Sequence, residues 1–256
     1  MNNRFPAMPP EIKFFPVKTL CMDNLPHTLG PGEDVHVLWA HLSRFYGEIN
    51  NLTSFLDEKE CFRANRFRFK QDQVRYVLSH GILRMILARY LGSLPNRIEL
   101  EARKRGKPVL LNPEGSDNLS FNLSHSHELM AVAISPVYDV GVDVEHIRYF
   151  PEFKSIGRSN FHPDETLFLD RMPEHRKLNG FFQVWTQKEA VVKATGMGLY
   201  CPLNSFSIPG LSGGFFTMPS DCDRDGYDIG FSVPFESRSE YAGALALVIS
   251  DRSSPK

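Results

Sequence analysis

The stretch Trp185-Thr-Gln-Lys-Glu-Ala-Val-Val-Lys193 carries the clearest pattern in the sequence. Its tryptophan, Glu189 and its final lysine recur every four residues, so an α-helix would line them along one face. A helix is predicted over about 177–195, because Gly196 follows and glycine relieves the left-handed conformation at a helix C-terminus. Taken alone, the stretch is also compatible with an ordinary amphipathic helix that carries one glutamate–lysine pair.

An earlier segment, Gly141-Val-Asp-Val-Glu145, alternates carboxylates with valines. In a β-strand, Asp143 and Glu145 would point to the same side. Taken alone, this segment is compatible with a buried strand that has two polar residues on a solvated face. Together with Glu189 and Lys193, however, it offers three carboxylates and an amine. Such a set suits a hard cation and a phosphate-bearing ligand, because Mg²⁺ is usually held by carboxylates, phosphate oxygens and water.

Four segments, in order along the chain, resemble the signature of the Sfp-type 4′-phosphopantetheinyl transferases. Two are the stretches above. Arg103-Lys-Arg-Gly-Lys-Pro108 is similar to the Gly-Lys-Pro loop of the family, and Phe121-Asn-Leu-Ser-His-Ser126 is similar to its Asn-x-Ser-His loop. Taken singly, the first loop is compatible with a solvated hairpin and the second with a structural histidine. The resemblance covers residues 103–199.

The resemblance implies a specific reaction. The 4′-phosphopantetheine arm of coenzyme A would move to a serine of an apo acyl or peptidyl carrier protein, with release of adenosine 3′,5′-bisphosphate. Asp143, Glu145 and Glu189 are the implied ligands of Mg²⁺, with Mn²⁺ as the alternative metal. Glu189 is expected to take the serine proton, directly or through a metal-bound water, while Lys193 and His125 stabilise the leaving phosphate.

The same resemblance implies a binding site for coenzyme A. Arg63 and Arg75 lie in a basic region that holds the 3′-phosphate in relatives, although Glu60 stands where relatives often have lysine. The other implied coenzyme contacts are Arg105, Gly106, Lys107, Pro108, Asn122, Ser124, His125, Lys188 and Lys193. An alternative for the basic region is single-stranded nucleic acid, because Phe67 and Phe69 alternate with basic residues. The patch is short and the chain is not basic, so no nucleic-acid partner is expected.

The predicted fold class is α+β. The resemblance implies two similar α/β halves related by a pseudo-twofold axis, with coenzyme A in the cleft between them. The predicted divisions are an irregular, proline-rich leader over 1–32, an N-terminal half over 33–137 and a C-terminal half over 138–256. Strands are predicted at 35–39, 98–103, 119–123, 129–135, 140–146, 227–233 and 241–249, and helices at 58–68, 74–91, 163–168 and 177–195. No sequence repeat is evident, and a monomer is expected.

Composition places loose bounds on function. The chain has 256 residues, 42% of them hydrophobic, and a formal net charge of −1, so no global basic field favours nucleic acid or membrane binding. Its four cysteines are scattered, which argues against a disulfide framework or a zinc site and favours a reduced cytosol. No signal peptide or membrane-spanning stretch is recognised.

Two rival functions remain compatible with the acidic residues. One is a magnesium-dependent phosphohydrolase or nucleotidyl enzyme, against which the Gly-Lys-Pro and Ser-His loops argue. The other is a non-catalytic binder of carrier proteins, against which the intact acidic and lysine residues argue. The segment Arg148-Tyr-Phe-Pro-Glu-Phe153 is a candidate docking face for the carrier, with closure of the core as the alternative.

Overall fold

The computed structural model describes residues 11–21, 25–30, 34–102, 106–111, 119–217, 229–235 and 239–248. Its strands are β1 (Ile12–Pro16), β2 (Val35–His41), β3 (Leu100–Ala102), β4 (Pro108–Leu110), β5 (Ser120–Ser126), β6 (Leu129–Ser135), β7 (Asp139–His146), β8 (Gly214–Thr217), β9 (Ile229–Phe235) and β10 (Tyr241–Val248). Its α-helices are α1 (Ile49–Thr53), α2 (Glu58–Ala64), α3 (Lys70–Leu91), α4 (Phe153–Asn160), α5 (Pro163–Arg171) and α6 (Glu174–Thr195). Short 3₁₀ turns span Leu42–Glu48, Pro95–Arg97, Gly198–Tyr200 and Leu203–Ser205. The α+β prediction is confirmed.

Two four-stranded sheets form the centre of the molecule. The first has the order β1-β2-β6-β5, and the second has the order β7-β10-β9-β8. Neighbouring strands are antiparallel except β1 and β2, which run parallel. The pair β3–β4 forms a separate small hairpin. The chain passes from the first sheet to the second between Ser135 and Asp139.

The proline-rich leader is not wholly irregular, so that part of the prediction is wrong. Residues Ile12–Pro16 form β1 and pair with β2 from Val35 to Trp39. The prolines obscured this strand in the sequence, although Pro16 stands at its last position, where a missing backbone donor is tolerated. Residues 1–10, 22–24 and 31–33 of the leader lie outside the described residues.

Three hydrophobic cores separate four layers, in which α3 and α6 cover the outer faces of the two stacked sheets. Strand β2 contributes to two of these cores. Val35 and Val37 pack into the core between the sheets, whereas Leu38 and Ala40 pack beneath α3. Both faces of β2 are therefore covered. Helix α6 packs on the alanines of β10, Ala242 among them, in the third core.

The helix ends follow local signals in the sequence. The Asp57 side chain accepts a hydrogen bond from the backbone N–H of Glu60, and the Glu60 side chain accepts one from the backbone N–H of Asp57, so α2 begins with a capping box. The helix ends at Ala64, earlier than predicted. Helices α3 and α6 end, as predicted, at left-handed glycines, Gly92 with φ 59° and Gly196 with φ 68°.

Both long helices have 22 residues, but no helix in the described parts of the chain is apolar enough at that length to cross a membrane.

Gly141 allows α6 to lie directly on β7. A Cβ atom at this position would stand 2.0 Å from the carbonyl oxygen of Ala190 and 2.3 Å from the backbone nitrogen of Ala194. Any side chain would therefore push the helix away. This close approach brings the middle of α6 over the next residues of the strand, Asp143 and Glu145.

Candidate active site

The carboxylates of β7 and the lysine of α6 meet where the two halves join. Val140, Val142 and Val144 pack between the sheets, so the alternating Asp143 and Glu145 face the other way, as predicted. Lys193 donates to Asp143 Oδ1 at 2.6 Å. Glu189 precedes Lys193 by one helical turn and therefore shares its face.

Strand β5 of the first half holds β7 through side chains. Ser120, Asn122, Ser124 and Ser126 each accept a hydrogen bond from a backbone N–H of β7, at 3.3, 2.9, 3.3 and 3.1 Å. These four polar residues alternate along β5 and take the place of a backbone ladder. They satisfy the buried edge of β7 and fix the register between the two sheets.

Two of these serines also bind the acidic side chains. Ser124 donates to Asp143 Oδ1 at 2.9 Å and accepts from Lys193 at 3.0 Å. Ser126 donates to Glu145 Oε2 at 2.7 Å. The acids of the second half are thus oriented by hydroxyl groups of the first half. The role of Ser126 was missed in the sequence, because the predicted strand ended at residue 123 whereas β5 continues to Ser126.

The electrostatics of the site disfavour ionised carboxylates without a cation. Burial raises the pKa of Glu145, and the nearby Asp143 charge raises it further. Burial also raises the pKa of Glu189, to which the charges of Asp143 and Glu145 add. Lys193 lowers the pKa of both glutamates by attraction, but burial is the larger effect. The three acids therefore form one interacting negative cluster.

The same cluster offers hard oxygen ligands for a divalent cation. Asp143 Oδ2 is a buried oxygen without a hydrogen-bond partner, which is the kind of atom that a cation would satisfy. Among the described residues, however, no three His, Cys, Asp or Glu side chains already stand close enough to enclose a metal ion. The donor chemistry thus fits Mg²⁺, while metal binding would require the carboxylates to move closer together.

A cleft of about 530 Å³ opens beside Glu189 and Lys193. Its walls come from both halves: the Gly-Lys-Pro loop and Asn122 on one side, and α6 with the turn after it on the other. Trp185 lines the cleft and stacks on Phe181, with ring centroids 5.8 Å apart, so this tryptophan has a packing role. The remaining lining residues are Asn160, Val192, Gly196, Gly198, Cys201, Pro202 and Leu203.

The Gly-Lys-Pro loop has a structural role that the sequence did not predict. Gly106 adopts φ 88°, a conformation that favours glycine. The Lys107 ammonium donates to the carbonyls of Val140 and Ala194 at 2.9 and 2.8 Å, which ties this loop to β7 and to the C-terminal turn of α6. Because these two carbonyls already hold the ammonium, the geometry does not favour the predicted contact of Lys107 with coenzyme A. Arg105 lies outside the described residues.

Lys188 does not reach the cleft, so its predicted contact with coenzyme A is wrong. Its side chain is fully buried, and its ammonium donates to the carbonyls of Leu203 and Phe206 at 2.7 and 2.6 Å. Glu165 of α5 lies 2.9 Å away as its counter-ion. A buried lysine needs such partners, and here they fasten the segment after α6 to the helix.

Positively charged side chains of both halves lie near His125. Its ring is exposed at the surface, yet crowding by protein atoms lowers its pKa to about 4, helped by the positive charges of His80, Lys193, Arg75 and Arg63. The imidazole is therefore neutral at pH 7 and can accept a proton when an anion binds nearby.

The two predicted phosphate-binding arginines differ in their surroundings. Arg63 is exposed and lies over the ring of Tyr76, 5.5 Å from its centroid. Arg75 is mostly buried and forms an ion pair with Glu128 at 3.2 Å. Tyr76 also stacks on His80, so an aromatic platform supports Arg63.

The departure at Glu60 has a structural reason. Its carboxylate accepts from Arg84 at 2.5 Å and pairs with His80 at 2.8 Å. A lysine at this position would remove the carboxylate that binds both His80 and the fully buried Arg84, and would leave Asp57 as the remaining carboxylate partner of that arginine. Glu60 therefore belongs to the interior and does not contact the ligand.

Comparison with known proteins identifies the family. Residues 139–246 match the model of the 4′-phosphopantetheinyl transferase superfamily, and residues 44–137 match that of the 4′-phosphopantetheinyl transferase N-terminal region. The chain is 36% identical over 167 residues to the 4′-phosphopantetheinyl transferase HetI of Nostoc sp., an alignment that covers 65% of this chain and 70% of HetI.

Two further relatives come from other bacteria. The 4′-phosphopantetheinyl transferase gsp of Aneurinibacillus migulanus is 31% identical over 159 residues, with 62% of this chain and 64% of gsp aligned. A 4′-phosphopantetheinyl transferase of Bacillus subtilis is 25% identical over 199 residues, with 78% of this chain and 85% of that protein aligned. The two family models together cover the β7–α6 site and β5, which supports it, and the chain belongs to the 4′-phosphopantetheinyl transferase family.

Proposed function

We propose that this protein transfers the 4′-phosphopantetheine arm of coenzyme A to a serine of an apo acyl or peptidyl carrier protein and releases adenosine 3′,5′-bisphosphate. The observation that carries the proposal is the contact of Asp143 with Lys193 and Ser124 at the junction of the two halves, beside the cleft. Family membership supplies the reaction class. The protein acts as a monomer, because both walls of the site come from one chain.

Magnesium would be held by Asp143, Glu145 and Glu189, with Mn²⁺ as the alternative. The unpartnered Asp143 oxygen and the raised pKa values of both glutamates favour such an ion. When bound, the cation neutralises the charge of the pyrophosphate that is split. Its arrival would also relieve the repulsion among the three carboxylates.

Proton transfer from the carrier serine is assigned to Glu189. Its raised pKa makes it a stronger base than an exposed glutamate, and it lines the cleft. Lys193 stabilises the phosphate that leaves, from its position on the next turn of the helix. Desolvation by the surrounding protein atoms is the main cause of the low pKa of His125, and nearby positive charges lower it further, so an anion that offsets those charges would favour the protonated imidazole.

Coenzyme A would lie across both halves. Arg63 and Arg75 hold the 3′-phosphate. Asn122, which lines the cleft, and Ser124, which binds Lys193, lie on the pyrophosphate side. The backbone of Gly106 and the ring of Pro108 line the same cleft.

The two halves are related by a pseudo-twofold axis in this proposal. Its support is the strand order, since β2-β6-β5 in the first sheet has the same sequence of connections as β7-β10-β9 in the second. In each half the first strand pairs antiparallel with the last, and the last with the one before it.

Incubation with coenzyme A, Mg²⁺ and an apo carrier protein, followed by intact mass spectrometry, tests the function. A gain of one phosphopantetheine on the carrier is expected, and it should disappear with a chelator. Consumption of coenzyme A without carrier modification would identify a phosphohydrolase. Carrier binding without any change of mass would identify a non-catalytic binder.

A further inference from the structure

Glu128 occupies the turn between β5 and β6, next to His127, which adopts φ 52°. Its Oε1 accepts from Arg75 Nε and Nη2 at 3.3 and 3.2 Å, and its Oε2 accepts from the Tyr46 hydroxyl at 2.6 Å. Its backbone N–H donates to the hydroxyl of Tyr241 in the second half, at 3.3 Å. A non-glycine residue at positive φ beside such a connected carboxylate marks a turn held by its contacts.

The ion pair neutralises Arg75 within the protein. Side-chain exposure is 15% for Arg75 and 12% for Glu128, so the pair is partly shielded from water and its attraction is screened less than that of a surface pair. Asp72 lies 3.5 Å from the other guanidinium edge and adds a second negative charge. An approaching phosphate would therefore meet an arginine whose charge is already balanced.

We propose that Glu128 is a specificity-determining residue that competes with the 3′-phosphate of coenzyme A for Arg75. The inference rests on the proposed function. By this competition Glu128 sets how tightly the enzyme holds both coenzyme A and the product adenosine 3′,5′-bisphosphate, because both carry the same phosphate.

Tyr46 remains a hydrogen-bond partner of the Glu128 carboxylate when Arg75 binds a ligand. Loss of hydration and the hydrogen bond to Glu128 raise the pKa of Tyr46 to about 12, so its hydroxyl remains a donor at neutral pH. Glu128 is therefore not left unpaired when the phosphate takes the guanidinium. A weaker hold on the 3′-phosphate favours release of the product at the end of each cycle.

The test is Glu128→Gln, which keeps the size and a hydrogen-bond acceptor but removes the negative charge. Calorimetric titration at fixed ionic strength compares coenzyme A, 3′-dephospho-coenzyme A and adenosine 3′,5′-bisphosphate. Affinity for the two 3′-phosphorylated ligands should rise about fivefold, the scale of one partly exposed charge pair. Affinity for the dephosphorylated ligand should change less than about twofold.

The matched control is Glu174→Gln, which also removes one charge from a glutamate in ion pairs with lysines, but at the exposed start of α6. It should alter none of the three affinities. The gain in Glu128→Gln should vanish when it is combined with Arg75→Ala, because the competition needs the arginine.

Two outcomes would overturn the inference and leave the proposed function in place. Weaker binding of the 3′-phosphorylated ligands in Glu128→Gln would show that the carboxylate only holds Arg75 in position. A parallel change for all three ligands would show a general effect on the cleft. If Arg75→Ala itself does not distinguish coenzyme A from its dephosphorylated form, the 3′-phosphate assignment in the proposed function fails, and the competition fails with it.

A second variant provides an independent test in case Glu128→Gln folds poorly. Tyr46→Phe removes the alternative partner of Glu128, so the carboxylate should bind Arg75 more tightly and weaken coenzyme A binding about two- to threefold. Unchanged binding in Tyr46→Phe would contradict the proposal.

Discussion

The two halves of the molecule share a framework and differ in what it carries. Each has a short helix, a long 22-residue helix and three strands with the same connections. In both, the short helix begins with a capping box, closed by Glu60 in α2 and Glu165 in α5. The same two glutamates reach a buried basic residue on the long helix, Arg84 in the first half and Lys188 in the second.

The buried basic residues also fasten the segment that follows each long helix. Arg84 donates to the carbonyls of Pro95 and Ile98, and Lys188 donates to those of Leu203 and Phe206. Each of the two stands eight positions before its glycine, Gly92 or Gly196. Sequence comparison does not reveal this repeat, because arginine and lysine fill the same place with different side chains.

The difference lies on the strand face beneath each long helix. The first half presents Leu38 and Ala40 to α3, and these pack into an apolar core. The second half places Asp143 and Glu145 beneath α6, with Lys193 above them. Acidic residues in the second sheet thus occupy the strand face beneath the long helix that is apolar in the first sheet.

Loss of the buried glutamates is the largest effect we expect. Glu165→Ala leaves the buried Lys188 without its counter-ion, which should lower the free energy of unfolding by about 3–5 kcal/mol. Glu60→Ala leaves the buried Arg84 with Asp57 as its remaining carboxylate partner, so a smaller loss is expected. Urea denaturation of the two variants measures this. A clear loss in both would sharpen the parallel between the halves. Near wild-type stability in one of them would break it.

Asp143→Asn tests the functional difference between the halves. The change keeps the volume but removes the charge that pairs with Lys193 and would bind the metal. Transfer should fall at least about a hundredfold, the scale of a lost metal-site group, with the circular dichroism spectrum unchanged. Retained activity would contradict the metal assignment and the role of this face.

Local patterns predicted much of the fold and part of the site. The alternation in β7 predicted that Asp143 and Glu145 face the same side, and the four-residue spacing in α6 predicted that Glu189 and Lys193 share a face. Both signals are periodic within a single element, so tertiary contacts were not needed to find them. The glycine that ends α6, Gly196, was likewise predicted from a local signal. The family resemblance implied that Asp143, Glu145, Glu189 and Lys193 form one site.

Long-range contacts account for what the sequence did not reveal. Glu128 meets Arg75 only after the hairpin turn folds against α3, and no local pattern signals that contact. Lys188 is different, because Val184 and Val191 lie one turn away on either side and are buried with it. Its helical position therefore pointed to the interior, although lysine itself suggested the surface.

Glu189→Gln separates function from stability. Because burial raises the pKa of Glu189, the folded state favours its neutral form, so this group contributes stability at acidic pH that is lost as the pH rises through the raised pKa. Glutamine resembles the neutral form. At pH 7 the variant should lose activity but melt at a higher temperature, by about 2–4 °C for each kcal/mol recovered.

Scanning calorimetry from pH 4 to pH 8 checks the direction of this change in stability with pH. The gain should shrink towards pH 4, and added Mg²⁺ should stabilise the wild type more than the variant. A variant that is less stable than the wild type at pH 7 would show that ionised Glu189 has a favourable partner in the free protein.

The smallest effect is expected from substitutions in the segment that follows the first strand of each half. In the first half, Leu42–Glu48 forms a 3₁₀ turn that leads into α1. In the second, Phe153 is buried and Phe150 packs on Phe181, 5.6 Å between ring centroids, so the core alternative holds for both phenylalanines. Tyr149 remains 74% exposed, and Arg148 beside it is also exposed.

Because Arg148 and Tyr149 are exposed, both are candidates for contact with the carrier protein. Carrier proteins are expected to be acidic, so Arg148→Glu should raise the Michaelis constant for the carrier about threefold, leave that for coenzyme A unchanged and lessen the salt dependence of the rate. Arg44→Glu is the matched control, because Arg44 is exposed in the corresponding segment of the first half. Steady-state kinetics of both variants at two salt concentrations show whether the effect is specific to Arg148. An equal effect of both reversals would indicate a general field of the protein, whereas a response confined to coenzyme A would place Arg148 in the coenzyme site.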